Sequence, residues 1–196
     1  MAEKSQKFSG VLSPVLTPFS KDLKPESRRL VEHCRWLLSQ NVALVLFGTT
    51  SEANSLSLEE KISLLDDLID AGINPSLLMP GTGCCSITET VQLTSHAVKL
   101  GCKGALILPP FYYKDISDDG LFRSYAETIE RVGNSALNIY LYHIPPVSGV
   151  SISLDLIERL IIRYPNVIAG IKDSSGNWKN TQSILERKWD DFRVFA

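Results

Sequence analysis

The chain has 196 residues, 44% of them hydrophobic and 21% charged, with a formal net charge of −2. That length and balance suffice for one sizeable apolar core. They supply no basic surplus for a nucleic-acid partner. No apolar run approaches the ~20 residues of a spanning helix, and Met1-Ala2-Glu3-Lys4-Ser5-Gln6-Lys7 is polar with no signal-peptide core behind it. No membrane partner is therefore expected. Cys34, Cys84, Cys85 and Cys102 form no CxxC pair and show no metal-ligand spacing with His33, His96 or His143. No metal site is expected, and reduced thiols in a cytoplasmic setting are the simplest account.

Taken in chain order, apolar strand-like runs lie at 11–19, 42–47, 77–80, 104–108, 137–143, 167–171 and 192–195. Helical patterns fill the intervals near 26–40, 58–71, 87–100, 119–132, 153–163 and 178–188. Ser57-Leu58-Glu59-Glu60 and Ser86-Ile87-Thr88-Glu89 read as helix starts, each with a serine cap and a carboxylate three residues on. Gly72 and Gly101 stand where helix-ending glycines belong. Strict β-α alternation with apolar strands predicts a parallel α/β sheet. The polar, Gly/Pro/Ser/Thr-rich segments after the strands favour a closed (β/α)8 TIM barrel, whose site lies at the C-terminal strand ends. Six β-α units and a seventh strand are present where such a barrel takes eight and ~250 residues. The expectation is a single barrel domain over 1–196, incomplete at its C-terminus and cut short within strand seven.

The residue that singles itself out is Lys172, which ends the run Val167-Ile168-Ala169-Gly170-Ile171 and precedes Asp173-Ser174-Ser175-Gly176. Strand alternation predicts Ile168, Gly170 and Lys172 on one face and Ala169 and Ile171 on the other, with Gly170 leaving room beside the lysine stem. A lysine in an apolar pocket loses hydration, which favours the neutral amine. Such an amine can attack a carbonyl and form a Schiff base. Tyr142 ends the preceding strand, so a barrel brings it within reach of Lys172 as a proton relay. His143 then faces the other way and reads as a packing or supporting histidine. Gly48-Thr49-Thr50-Ser51-Glu52 offers two hydroxyls and several backbone amides as a carboxylate cradle. Pro109-Pro110-Phe111-Tyr112-Tyr113 places aromatics after strand four. Gly81-Thr82-Gly83-Cys84-Cys85-Ser86 only superficially resembles a dinucleotide fingerprint: its sixth position is serine, and no carboxylate follows at the ribose distance.

Together these motifs resemble the dihydrodipicolinate synthase / N-acetylneuraminate lyase family of pyruvate-dependent class I aldolases, from about Gly10 to Ala196. Gly-Thr-Thr-x-Glu, Pro-Pro-Phe-Tyr-Tyr, Tyr-His-Ile-Pro and Gly-Ile-Lys-Asp-Ser occur in that family's order and spacing. The resemblance implies a TIM barrel in which Lys172 is the Schiff-base lysine for pyruvate or another 2-keto acid. It makes Tyr142 the proton-relay tyrosine, and Thr49 and Thr50 the pair that binds the keto-acid carboxylate, with Thr50 joining the relay. Tyr112 matches the tyrosine that reaches across a subunit interface, so a homo-oligomer, a tetramer or dimer, is implied. No metal or organic cofactor is implied, the lysine itself being the electron sink.

Ser51 replaces the glycine usual in that loop. Val147 stands where synthases that form dihydrodipicolinate carry an arginine, and valine cannot make its bidentate contact. The expected activity is a lyase/aldolase that condenses pyruvate with an aldehyde or cleaves a 2-keto-3-deoxy acid. Dihydrodipicolinate synthesis from pyruvate and aspartate semialdehyde is the alternative, and a non-catalytic barrel binding small acids is a further one.

Overall fold

The computed structural model describes residues 7–196. Its strands are β1 (Leu12–Pro14), β2 (Ala43–Leu46), β3 (Leu78–Pro80), β4 (Ala105–Ile107), β5 (Ile139–His143), β6 (Ile168–Asp173) and β7 (Arg193–Phe195). Its helices are α1 (Ser27–Ser39), α2 (Leu58–Asp70), α3 (Ile87–Lys99), α4 (Asp118–Val132), a short α5 (Pro145–Ser148), α6 (Leu154–Arg163) and α7 (Trp178–Glu186). Neighbouring strands pair in parallel in chain order, β1-β2-β3 and β4-β5-β6-β7. Gly81 joins the two runs by a parallel bridge to Leu106, closed by the Thr82 amide donating to the Leu106 carbonyl at 2.9 Å.

Period-2 alternation sorts the strand side chains into two layers. Leu44, Leu46 and Leu78 pack outward with Leu30, Cys34, Leu64 and Leu68 of α1 and α2. Ile107, Ile139, Leu141 and Ile171 pack outward with Tyr125, Ile129, Leu156, Leu160 and Ile184 of α4, α6 and α7. Val45, Met79, Leu106, Tyr140 and Tyr142 point inward and form the barrel's own core. Phe8 plugs the end opposite the strand C-termini: its amide donates to the Tyr140 hydroxyl at 2.9 Å, and its ring lies 5.8 Å from that of Tyr140. Lys7 ties the first segment to the last, its Nζ lying 3.0 Å from the Asp191 carboxylate.

Helix starts follow the serine signals. Ser57 accepts from the Glu60 amide at 3.2 Å and Glu60 accepts from the Ser57 amide at 2.8 Å, a complete capping box. Ser86, Ser117 and Ser153 cap α3, α4 and α6 in the same way from the N-cap side.

Two expectations need correction. The long run 11–19 forms only Leu12–Pro14 as strand, because Pro14 and Pro18 remove ladder donors. In β6 the register steps from Ile139↔Ile168 to Tyr140↔Gly170, leaving Ala169 as the extra residue of a bulge. The bulge sends Ile168 outward among the helices and Ala169 inward, the reverse of simple alternation. Gly170 and Lys172 still share the inner face, opposite Tyr140 and Tyr142. Among the described residues no helix is long and apolar enough to cross a membrane.

Candidate active site

Register places Tyr142 directly opposite Lys172 at the C-terminal ends of β5 and β6. The Lys172 Nζ stands over the face of the Tyr142 ring, 4.6 Å from its centroid, where the ring quadrupole attracts an ammonium. The ring is 4% exposed. Its hydroxyl lies 3.0 Å from Thr49 Oγ1. Lysine, phenol and threonine hydroxyl thus form a line across the barrel mouth. Lys172 is half-buried and opens into a cavity of about 360 Å³ walled by Leu12, Pro14, Val45, Met79 and Phe195.

Gly170 does more than leave room for the lysine. A Cβ there would stand 2.2 Å from the Arg193 carbonyl oxygen and 3.0 Å from Tyr140 Cδ1. The absent side chain lets β7 approach β6.

The Thr49 loop is held by unusual backbone on both sides. Phe47 and Glu52 adopt φ of 51° and 54°, a left-handed conformation that side chains rarely take. The Ser51 and Ala53 amides donate to the Gly48 carbonyl and the Glu52 amide to the Thr49 carbonyl. Two amides of the expected carboxylate cradle, those of Ser51 and Glu52, are therefore occupied within the turn. Ser51 is buried and anchors the loop to the β1 side: its Oγ donates to the Val15 carbonyl at 2.5 Å, and Thr17 Oγ1 donates to the Ser51 carbonyl at 2.8 Å. Gly81 admits the turn, since a Cβ there would lie 2.2 Å from the Phe47 carbonyl oxygen. Gly83 likewise lies against the Leu108 backbone, its built Cβ 2.3 Å from the Leu108 nitrogen. The glycines of the fingerprint-like motif thus serve close strand packing.

Of the other site candidates, Thr50 is exposed beside Thr49, and it is Thr49 whose hydroxyl meets Tyr142. Tyr112 sits on the rim, 73% exposed, its ring edge-on to Tyr113 at 5.2 Å. His143 faces outward, buried, with its Nδ1 accepting from the Ile152 amide at 3.0 Å. Burial lowers its pKa, opposed by the nearby Asp173 carboxylate. The accepting Nδ1 places the proton of the neutral ring on Nε2.

Asp173 was not singled out by its spacing, yet it organises the β6–α7 turn. It accepts from Thr181 Oγ1 at 2.7 Å, Asn180 Nδ2 at 2.9 Å and the Ser175 amide at 2.9 Å. Burial alone would raise its pKa; these hydrogen bonds outweigh it and hold the carboxyl below the ordinary carboxylate value. Its adjacency to Lys172 was the available signal, while its side-chain donors Asn180 and Thr181 lie seven and eight residues further on, in α7. Among the described residues no group of three or more His, Cys, Asp and Glu side chains converges as a metal site.

The sequence matches the dihydrodipicolinate synthetase family over residues 7–196. It is 35% identical over 192 residues to a 4-hydroxy-tetrahydrodipicolinate synthase of Methanococcoides burtonii, covering 95% of this chain and 62% of that protein. The fold is similar to a crystal structure of dihydrodipicolinate synthase from Agrobacterium tumefaciens, with a TM-score of 0.89 and 34% identity over 94% of this chain and 65% of that one. It is also similar to the dihydrodipicolinate synthase of Acinetobacter baumannii solved in complex with pyruvate, with a TM-score of 0.84 and 31% identity over 94% of this chain and 62% of that one. The chain thus spans less than two thirds of the length of these relatives. With parallel strands in barrel order and a match across nearly its whole length, the chain belongs to the dihydrodipicolinate synthetase family.

Proposed function

We propose that this protein is a Schiff-base-forming lyase/aldolase that condenses pyruvate with an aldehyde, or runs the reverse cleavage of a 2-keto-3-deoxy acid. The observation that carries the reading is the line from Lys172 Nζ, over the Tyr142 ring at 4.6 Å, to the Tyr142–Thr49 hydrogen bond of 3.0 Å. The nitrogen lone pair of Lys172 attacks C2 of the keto acid, the nitrogen losing a proton as the carbonyl oxygen takes one, to give a carbinolamine. Tyr142, coupled to Thr49, relays protons as water leaves and the iminium forms. Loss of a C3 proton gives an enamine, whose electron pair attacks the aldehyde carbon. Hydrolysis of the new iminium returns the lysine. The lysine acts as the electron sink, so the reading calls for no organic cofactor.

Thr50, exposed beside Thr49, is the second hydroxyl offered to the keto-acid carboxylate. The exposed Tyr112–Tyr113 pair supports a homo-oligomer, in which such a rim finds a neighbouring copy. The four free thiols suit a reducing, cytoplasmic setting.

Enamine formation is tested by proton exchange. Incubated with pyruvate in heavy water, the protein is expected to wash deuterium into the pyruvate methyl group, read by proton NMR, with no aldehyde present. Methyl protons that persist at the buffer rate would leave the reading without support in chemistry, and a binding-only barrel would take its place.

A further inference from the structure

The parallel ladder between β1 and β2 ends beside the cavity into which Lys172 opens, for Leu12 and Pro14 of β1 are among its walls. The Ala43 amide donates to the Val11 carbonyl and the Val15 amide to the Val45 carbonyl, each at 3.0 Å. The same spacing would give the Val15 carbonyl the Phe47 amide. Phe47 instead turns left-handed, with φ of 51°, and leaves the ladder. Val15 is fully buried, so its carbonyl needs another donor. Among the described residues that donor is the Ser51 hydroxyl, at 2.5 Å.

A side chain thus completes the ladder where the backbone has left it, and it belongs to the turn that carries Thr49. That turn is closed on itself by the amides of Ser51, Glu52 and Ala53, which donate to the Gly48 and Thr49 carbonyls. It is attached on two sides. On one, Ser51 holds the β1 end twice, through its hydroxyl and through its carbonyl, which accepts from Thr17 Oγ1 at 2.8 Å. On the other, Thr49 Oγ1 lies 3.0 Å from the Tyr142 hydroxyl. The wall of the lysine cavity and the proton relay are therefore joined through one buried serine.

Alanine at position 51 would leave the Val15 carbonyl without a donor in the core and release one of the two attachments. We infer that Ser51 is a positioning residue, seconded by Thr17, whose bond to β1 holds the Thr49 hydroxyl on Tyr142. It touches no reacting atom and acts through Thr49. This rests on the Schiff-base reading of Lys172, with Tyr142 and Thr49 as its relay, and adds a residue on which that relay depends.

The test is a double-mutant cycle on the full chain, read as pyruvate methyl exchange in heavy water. Ser51→Ala is expected to lower kcat for exchange about tenfold or more, with KM for pyruvate held within about twofold. In a Thr49→Val background the same change should lower kcat by less than about twofold, because the hydroxyl that Ser51 positions is already gone. A merely structural serine would cost the same factor in both backgrounds. Thr17→Val removes the second bond to β1 and should show the same dependence on background, so it carries the test where Ser51→Ala fails to fold. Equal losses in the two backgrounds, or no loss from either variant, overturn the assignment. Absence of exchange in the parent protein instead overturns the Schiff-base reading itself, and the assignment with it.

Discussion

Thr49 and Thr50 are neighbours of the same type, yet only the first hydrogen-bonds Tyr142. Thr49→Val is therefore expected to slow pyruvate methyl exchange by about a hundredfold at saturating pyruvate. Thr50→Val should act mainly by raising KM. The pair of titrations separates relay from binding, and a larger kcat loss in Thr50→Val would reverse the two roles. Nothing in Gly48-Thr49-Thr50 tells which hydroxyl faces the tyrosine. That choice is made by the left-handed Phe47 and Glu52 and by the burial of Ser51, all of them consequences of the chain around the loop.

His143 gives a pH prediction whose sign follows from its burial. Its folded pKa lies below the ordinary 6.5, so the unfolded chain takes up the proton first. Its contribution is intact above that value and is lost as the pH falls below it. Asp173, also lowered from its ordinary 3.8, begins to cost stability only in more acid solution. The urea midpoint is expected to drop between about pH 7.5 and about pH 5.5. His143→Asn, which keeps an acceptor for the Ile152 amide without a titrating ring, should flatten that drop. An unchanged slope would assign the pH dependence elsewhere.

At the level of elements, the capping serines and the helix intervals were legible because each is a local matter of spacing and hydrogen bonding. Removing the box at α2 with Ser57→Ala is expected to cost about 1 kcal/mol in urea unfolding. Strand edges were less legible. Prolines cut the 11–19 run down to three residues of ladder, and the β6 bulge exchanged the faces of Ile168 and Ala169. A bulge answers to the partner strand, which no local window contains. Gly170 belongs to the same category: its need for no side chain comes from Arg193 and Tyr140, both distant in sequence. Gly170→Ala should therefore destabilise the protein by about 1–3 kcal/mol, and loosen β7 from β6. Faster amide exchange at Arg193–Phe195 is the readout, and protection unchanged from the parent would show that the strands absorb a methyl group.

Across the whole molecule, β-α alternation was enough to predict parallel strands in chain order, because apolar runs buried on both faces have few other arrangements. The lysine–tyrosine pairing followed from that order, since adjacent parallel strands bring their C-terminal residues side by side. Burial also grades the cysteines. Cys34 and Cys102 are buried, with burial pushing each thiol up to about 12, whereas Cys85 is exposed and Cys84 lies between. In the native protein a thiol reagent should label Cys85 first and Cys84 slowly, reaching Cys34 and Cys102 only on unfolding.

The central claim is that Lys172 forms a Schiff base with a 2-keto acid. Its most direct measurement is borohydride reduction in the presence of pyruvate, followed by peptide mass mapping. The account predicts an irreversible adduct carrying the reduced pyruvate on Lys172, and none on the protein carrying Lys172→Ala. Recovery of an unmodified Lys172 peptide, or an adduct that persists in Lys172→Ala, would contradict it.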